Sequence, residues 1–450
     1  MAHQPTPTAT RHLPVPPIRR IVRPLTRFLQ IESASGIVLL ACTVVALVLA
    51  NSPYEKQVHD FWEMPVRLDV GAFHVGGTLG HFVINDVLMT IFFFVVGLEI
   101  KRELVAGELR DPRKAALPVV AAIGGMLVPA GIYMALMARY VGQPEFRGWG
   151  VPMATDIAFV VGVMAILGRR VPFGLKIMIL SLAIVDDIGA VMVIAVFYSG
   201  GVDWVALGMA LLGFVLTYGL NRAGVRAISV YVAVGIGIWF AFYHSGVHPT
   251  MTGVLLGLLT PSREWVARES LRLSLLDLTA KLEADERTDP NELTVMTFAV
   301  RESVSPLERL ETGLHPWVGF IVMPLFALAN AGVHIDVGEL TNPVAVAVAL
   351  GLLLGKPIGI ALFSFVAVRA RIARLPEGVN WWVLLGGGCL AGIGFTMSLF
   401  VAGLAFEGHE QLLTAGKIGT LAGSVCSAVL GTGILLLSLR KRPTTVNGSV

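Results

Sequence analysis

From residue 33 to residue 439 the chain is a succession of apolar stretches, and a helix needs roughly 20 such residues to cross a bilayer. They fall at 33–50, 82–100, 115–138, 150–167, 173–198, 203–220, 226–243, 247–260, 316–333, 344–368, 380–404 and 412–439. Backbone groups in lipid must find their hydrogen bonds inside their own segment, so the chain is expected to be an all-α bundle of twelve transmembrane helices, several of them short or interrupted. Composition agrees: 55% of the 450 residues are hydrophobic, 14% are charged, and the mean hydropathy is +0.74. That excludes a soluble globular domain, and a net charge of +3 gives no reason to expect a nucleic-acid partner.

Basic residues mark the cytoplasmic side of a membrane protein. With twelve spans and the N-terminus inside, 28 of the 34 Lys and Arg fall on the cytoplasmic side, while only Lys56, Arg67, Arg139 and Arg147 fall on the other. Both termini are therefore expected to be cytoplasmic. The first apolar run, Gly36 to Ala50, could also pass for a signal peptide ending Val48-Leu49-Ala50, although a transmembrane helix is the better reading.

The segments outside the spans divide the chain. Residues 1–32, rich in Pro and Arg, read as a disordered tail, and 440–450 as a second cytoplasmic tail around a transmembrane domain at 33–439. Between spans 1 and 2, Val66, Leu68 and Val70 alternate up to a Gly71-Ala72 turn and continue as Phe73 and Val75, which suits a small periplasmic β-hairpin as well as a plain loop. The cytoplasmic stretch 261–315 is long, charged and amphipathic around Leu271, Leu275, Leu276 and Leu278, as a surface helix or partly disordered loop would be.

Few ionisable groups lie deep in the spans. Asp186 and Asp187 stand side by side in Ile184-Val185-Asp186-Asp187-Ile188-Gly189, and Asp156 and Lys356 lie inside two other spans, with Glu99, Glu103 and His248 nearer the ends. A charge at mid-membrane is costly unless it is paired or faces water, so these residues are candidates for the working site. Adjacent helical residues point about 100° apart, so the two acids of the pair are expected to divide their roles.

Asp156 follows Gly148-Trp149-Gly150-Val151-Pro152, too rich in Gly and Pro for a straight helix, and a second glycine-dense span runs from Gly386 to Gly394. Each is the middle member of a triplet, spans 3–5 and 10–12. Interrupted helices at matching places in two halves point to a transporter's binding site. Opposed half-helices leave dipole ends in the membrane that a carboxylate and an ammonium would balance, roles that suit Asp156 and Lys356. His248 reads as a hydrogen-bonded structural histidine that could also tune a response to pH. Cys42, Cys389 and Cys426 all lie in apolar segments and read as packing residues.

These motifs, together with Ala154-Thr155-Asp156-Ile157-Ala158-Phe159, Gly355-Lys356-Pro357, Phe93-Phe94-Val95-Val96-Gly97-Leu98-Glu99-Ile100-Lys101-Arg102-Glu103-Leu104 and Ser245-Gly246-Val247-His248, resemble the NhaA family of bacterial Na+/H+ antiporters from about residue 30 to 439. The resemblance implies inverted-topology repeats at helices 3–5 and 10–12, whose broken helices 4 and 11 cross near Asp156. It implies Asp187 as the principal cation ligand, Asp186 as its partner acid, Thr155 and Asp156 lining the site, and Lys356 as a charge-balancing or proton-coupled group. It further implies pH sensing by the Glu99 to Glu103 stretch and Glu311, and a homodimer through the 66–75 hairpin. The location would be the inner membrane, the substrates Na+, Li+ and H+, and no cofactor would be needed. The Pro/Arg-rich tail, the long 261–315 loop and Pro249, where alanine is expected, depart from the family pattern.

Protons and Na+ would then compete for the same carboxylates, which is antiport. An intramembrane aspartyl protease also needs two acids in the membrane, but its Gly-x-Gly-Asp signature is missing here. A passive Na+ channel accounts less well for broken helices around a shared site.

Overall fold

The computed structural model describes residues 32–70, 73–225, 227–283, 289–334 and 338–439. The expected tails, up to residue 31 and from 440 onward, and the Gly71-Ala72 turn lie outside these residues.

The chain begins with α1 (Glu32–Ala50) and a short α2 (Glu55–Trp62), followed by a hairpin of β1 (Pro65–Val70) and β2 (Phe73–Thr78). Then come α3 (Leu79–Val105), α4 (Pro112–Leu136), a 3-10 segment over Pro144–Met153 that leads into α5 (Ile157–Leu167), and α6 (Phe173–Phe197). Next are α7 (Trp204–Arg222), α8 (Ile228–Ser245), α9 (Met251–Leu259), α10 (Arg268–Glu283) and α11 (Pro290–Glu302). The last third holds α12 (Pro306–Asn330), α13 (Pro343–Arg369), α14 (Trp381–Ala391), α15 (Phe395–Ala405) and α16 (Glu410–Leu439).

This is a multi-pass membrane protein. Among the described residues nine helices are long and apolar enough to span a bilayer, and two bent pairs raise the number to eleven. The bent pairs are α1 with α2, at 116°, and α14 with α15, at 48°. The remaining expected span, 247–260, holds only the nine residues of α9, about 14 Å of helix, too short to cross alone. It is instead pressed against α3. A Cβ on Gly253 would stand 2.2 Å from Thr90 O, one on Gly257 2.6 Å from Phe94 O, and one on Gly97 2.5 Å from Val254 O. The Gly-x-x-x-Gly spacing of Gly253 and Gly257 is what permits this backbone-to-backbone approach.

One expected boundary moves. Glu311 and His315, placed by sequence in the long loop, lie on α12, whose span begins at Pro306, where Ser305 Oγ accepts from Glu308 N at 3.2 Å. Within the described part of that loop, Arg268–Glu283 and Pro290–Glu302 form α10 and α11. Between spans 1 and 2 the alternation does form a hairpin, antiparallel, with Val66 opposite Gly77 and Leu68 opposite Val75. Val75 is buried with Phe82 and Trp239, which anchors the hairpin to α3 and α8.

The first helices of the two expected repeats, α4 and α13, pack at backbone distance. A Cβ on Gly124 would stand 2.3 Å from Gly359 O, and one on Gly359 2.1 Å from Gly124 O. One turn away, Gly355 meets Pro129, where a Cβ would come within 2.6 Å of Pro129 Cα. Pro357 has no N–H to donate into the helix, and the turn just before it, Gly351–Gly355, widens to π geometry. The widened turn and the bare glycine face set Lys356 into the bundle.

Candidate functional site

The middle members of the two repeats are both broken, and the breaks meet. Residues 154–156 leave helical geometry between the 3-10 segment and α5, and residues 393–394 do so between α14 and α15. The exposed backbone is satisfied across the crossing: Asp156 N donates to Ile393 O at 2.7 Å, Thr155 Oγ1 to Ala391 O at 2.8 Å, and Ser398 Oγ to Val151 O at 2.7 Å. Irregular backbone at this depth survives because it is buried in protein.

Asp156 is the N-cap of α5, its Oδ1 accepting from Phe159 N at 3.3 Å. Its other oxygen, Oδ2, accepts from Thr396 N at 3.1 Å and from the Thr396 hydroxyl, so one buried carboxylate serves the first turns of both second half-helices. The carboxylate thus stands at two helix N-termini, and it reaches the second through a partner, Thr396, that sequence reasoning did not single out. The signal was available as a hydroxyl in the first turn after Gly394.

Asp186 and Asp187 lie on α6 and are 1% and 3% exposed. Lys356 Nζ donates to Asp186 Oδ2 at 2.6 Å, and Thr155 Oγ1 reaches the same oxygen at 2.8 Å. Asp186 Oδ1 and Asp187 Oδ1 have no hydrogen-bond partner although both are buried. The five residues expected at the site, Asp156, Thr155, Asp186, Asp187 and Lys356, are thus gathered where α4, α5, α6, α13 and α14 meet. Orphaned carboxylate oxygens beside a hydroxyl form a hard donor set of the kind that suits a small monovalent cation. No group of three or more His, Cys, Asp or Glu among the described residues is arranged to hold a resident metal.

The pH-sensing candidates do not form one cluster. Arg102 pairs with Glu311 and lies 4.0 Å from Glu103 Oε1, and His315 Nδ1 is 3.5 Å from Glu99 Oε1. Glu103 Oε2 also accepts from Glu108 N at 3.1 Å. Glu99, Glu103 and Glu311 therefore gather where α3 meets α12. His248 lies apart, with Nδ1 2.7 Å from Thr250 Oγ1 and Nε2 3.7 Å from Asp86 Oδ1. Asp86, 5% exposed, is a buried acid that the sequence reading passed over, although its place inside the apolar run of span 2 marked it.

The sequence model for the family described as Na+/H+ antiporter 1 matches residues 26–435. The chain belongs to the Na+/H+ antiporter 1 family. Curated relatives agree along the whole length. The Na+/H+ antiporter NhaA of Rhodopirellula baltica is 50% identical over 95% of this chain and 97% of its own. The NhaA protein of Rhizobium meliloti is 49% identical over 94% and 97%. NhaA 2 of Acidiphilium cryptum is 50% identical over 94% of each chain. A solved sodium/proton antiporter from Methanocaldococcus jannaschii overlays at a TM-score of 0.46 with 13% identity over 94% of this chain and 95% of its own, too distant for residue-level comparison. Membership of the Na+/H+ antiporter 1 family makes the chain a transporter of Na+ and H+.

Proposed function

We propose that the chain moves cytoplasmic Na+, or Li+, outward across a bacterial inner membrane in exchange for external H+, by alternating access at the helix crossing. The observation that supports this best is the pair of buried, unpartnered oxygens on Asp186 and Asp187 beside the Lys356–Asp186 ion pair. In this reading Asp187 is the principal cation ligand and Asp186 and Thr155 complete its oxygen set. Asp156 lines the site from the crossing.

Burying these charges is tolerable only if each always has a counter-charge, a proton or a cation. When Na+ enters between the two acids, Asp186 exchanges the Lys356 ammonium for Na+. The protons on the dyad or on Lys356 are then free to leave. Two protons against one Na+ makes each cycle electrogenic, so membrane potential as well as pH drives it.

The Glu99, Glu103 and Glu311 cluster with Arg102 and His315 is the proposed pH-responsive element on the cytoplasmic side. His248 with Asp86 plays that part at the opposite end. Both termini are proposed to lie in the cytoplasm, a reading supported by the Lys and Arg distribution over twelve segments, and β1–β2 is the proposed homodimer contact.

Everted membrane vesicles with a pH-sensitive dye test the exchange. Na+ addition should collapse an imposed pH gradient, and Asp187→Asn should abolish this while the protein still inserts. Full exchange by Asp187→Asn would refute the assignment. Uphill Na+ uptake driven by the pH gradient separates antiport from a passive channel.

A further inference from the structure

Hydroxyls inside membrane helices normally turn back onto the carbonyl one turn earlier. In this chain Thr43 Oγ1 donates to Leu39 O, Thr217 Oγ1 to Gly213 O, and Ser438 Oγ to Ile434 O, at 2.7–2.8 Å. Two hydroxyls on α16 do not. Thr420 Oγ1 and Ser427 Oγ are buried without a hydrogen-bond partner, and both residues are fully covered.

They share one face of the helix with two other polar residues. Lys417, Thr420, Ser424 and Ser427 recur at three- and four-residue spacing, so they form a line along α16. Ser424 Oγ accepts from Phe395 N at 3.2 Å, which fixes this face against the break between α14 and α15. Farther along, Ser427 Oγ, Leu352 O and Cys389 O converge on bare Gly392, within 2.5–3.1 Å of where a Cβ would stand. At the other end of the line is Lys417, seven residues in from Glu410 and half-buried. Lys356 and Lys101 each find a partner, Asp186 Oδ2 at 2.6 Å and Leu258 O at 2.7 Å, whereas Lys417 has no ion-pair partner among the described residues.

An ammonium without a counter-ion and two hydroxyls without partners are each costly inside a membrane, and water satisfies all three where polar groups line its path. We propose that this face of α16 is a water-filled column joining the Glu410 end of the bundle to the helix crossing. It carries protons, and Lys417 is the fixed charge that keeps Na+ out. A positive charge in a confined low-dielectric passage repels a monovalent cation far more than it would in water. Protons can pass along hydrogen-bonded water and hydroxyls without a cation traversing the site. The proton assignment rests on the exchange proposed above, whereas the column and its charge filter do not.

The test uses full-length purified protein in which Cys42, Cys389 and Cys426 are replaced by Ala and Thr420→Cys is introduced. The probe is Ag+, a thiol-reactive monovalent cation, and the readout is the fraction of thiol left free, counted by mass after denaturation. Slow reaction is expected with Lys417 or Lys417→Arg, and at least tenfold faster reaction with Lys417→Gln. Small neutral methyl methanethiosulfonate should react with all three. Equal Ag+ rates with and without the charge, or a thiol that neither reagent reaches, would overturn the proposal. Thr420→Val interrupts the column with an isostere and should lower turnover several-fold at unchanged KM for Na+. Undiminished turnover would overturn the proton assignment. Failure of the unmodified chain to exchange at all would strike the preceding proposal and leave the thiol result standing.

Discussion

Lys356 Nζ and Asp186 Oδ2 are 2.6 Å apart with both side chains wholly buried, one on α13 and the other on α6. The pair adds an ionic contact to the hydrogen bonds that join the two repeats at the crossing. Removing one partner strands the other charge, which typically costs about 3–5 kcal/mol. Lys356→Ala should therefore lower the melting temperature of the purified protein sharply, and Lys356→Arg should keep most stability while shifting the pH profile of transport. An alanine variant as thermostable as the parent would rule out the charge-balancing role.

Thr155 stands between the same carboxylate and the backbone of the opposite repeat, its Oγ1 2.8 Å from both Asp186 Oδ2 and Ala391 O, and its single proton serves one of them at a time. Thr155→Val removes that one donor from the bundle, at about 1–3 kcal/mol. Its KM for Na+ should rise about tenfold if the hydroxyl also serves the cation. A loss of stability with unchanged KM would make Thr155 a structural residue only.

Competition between protons and Na+ fixes the sign of a pH effect. Lowering the pH favours protonated acids, so the apparent KM for Na+ should rise by about tenfold per pH unit for each proton displaced. Initial rates across a Na+ and pH matrix measure this slope. A KM independent of pH would exclude competition at the dyad.

The α4–α13 contact leaves no room for a methyl group, since a Cβ on Gly124 meets Gly359 O at 2.3 Å. Gly124→Ala or Gly359→Ala must push the helices apart, at a cost of about 1–3 kcal/mol. Because Lys356 lies less than one turn from Gly359, turnover should fall together with thermal stability. A variant that loses stability but transports normally would show that the site tolerates the shift.

Replacing residues 66–75 by a Gly/Ser linker should convert a dimer to a monomer in light scattering, since an exposed hairpin edge can pair with a second copy. A dimer that survives the replacement would place the contact elsewhere.

Much of this was legible in the sequence because the membrane makes charge rare. Asp156, Asp186, Asp187 and Lys356 stand out against apolar runs, and the Gly/Pro punctuation around 148–152 and 386–394 marks both breaks. What escaped were groups that only tertiary contact defines. Thr396 is an ordinary helix threonine until the crossing sets it on Asp156, and Asp86 gains its meaning from His248, 162 positions away, at 3.7 Å. The shortness of α9 belongs here too. Hydropathy registers that a segment is apolar, and cannot register that Gly253 and Gly257 lock nine residues against another helix.

The Asp156 carboxylate accepts at once from the first turn of α5 and from that of α15. It works as a shared bearing. If α15 slid past α5, both bonds from Thr396 to Oδ2 would break, while the bond from Phe159 to Oδ1 would travel with α5. Rotation about Asp156 strains them far less. A rocking motion of the two repeats would turn on this one pin, next in sequence to the Thr155 hydroxyl that reaches Asp186.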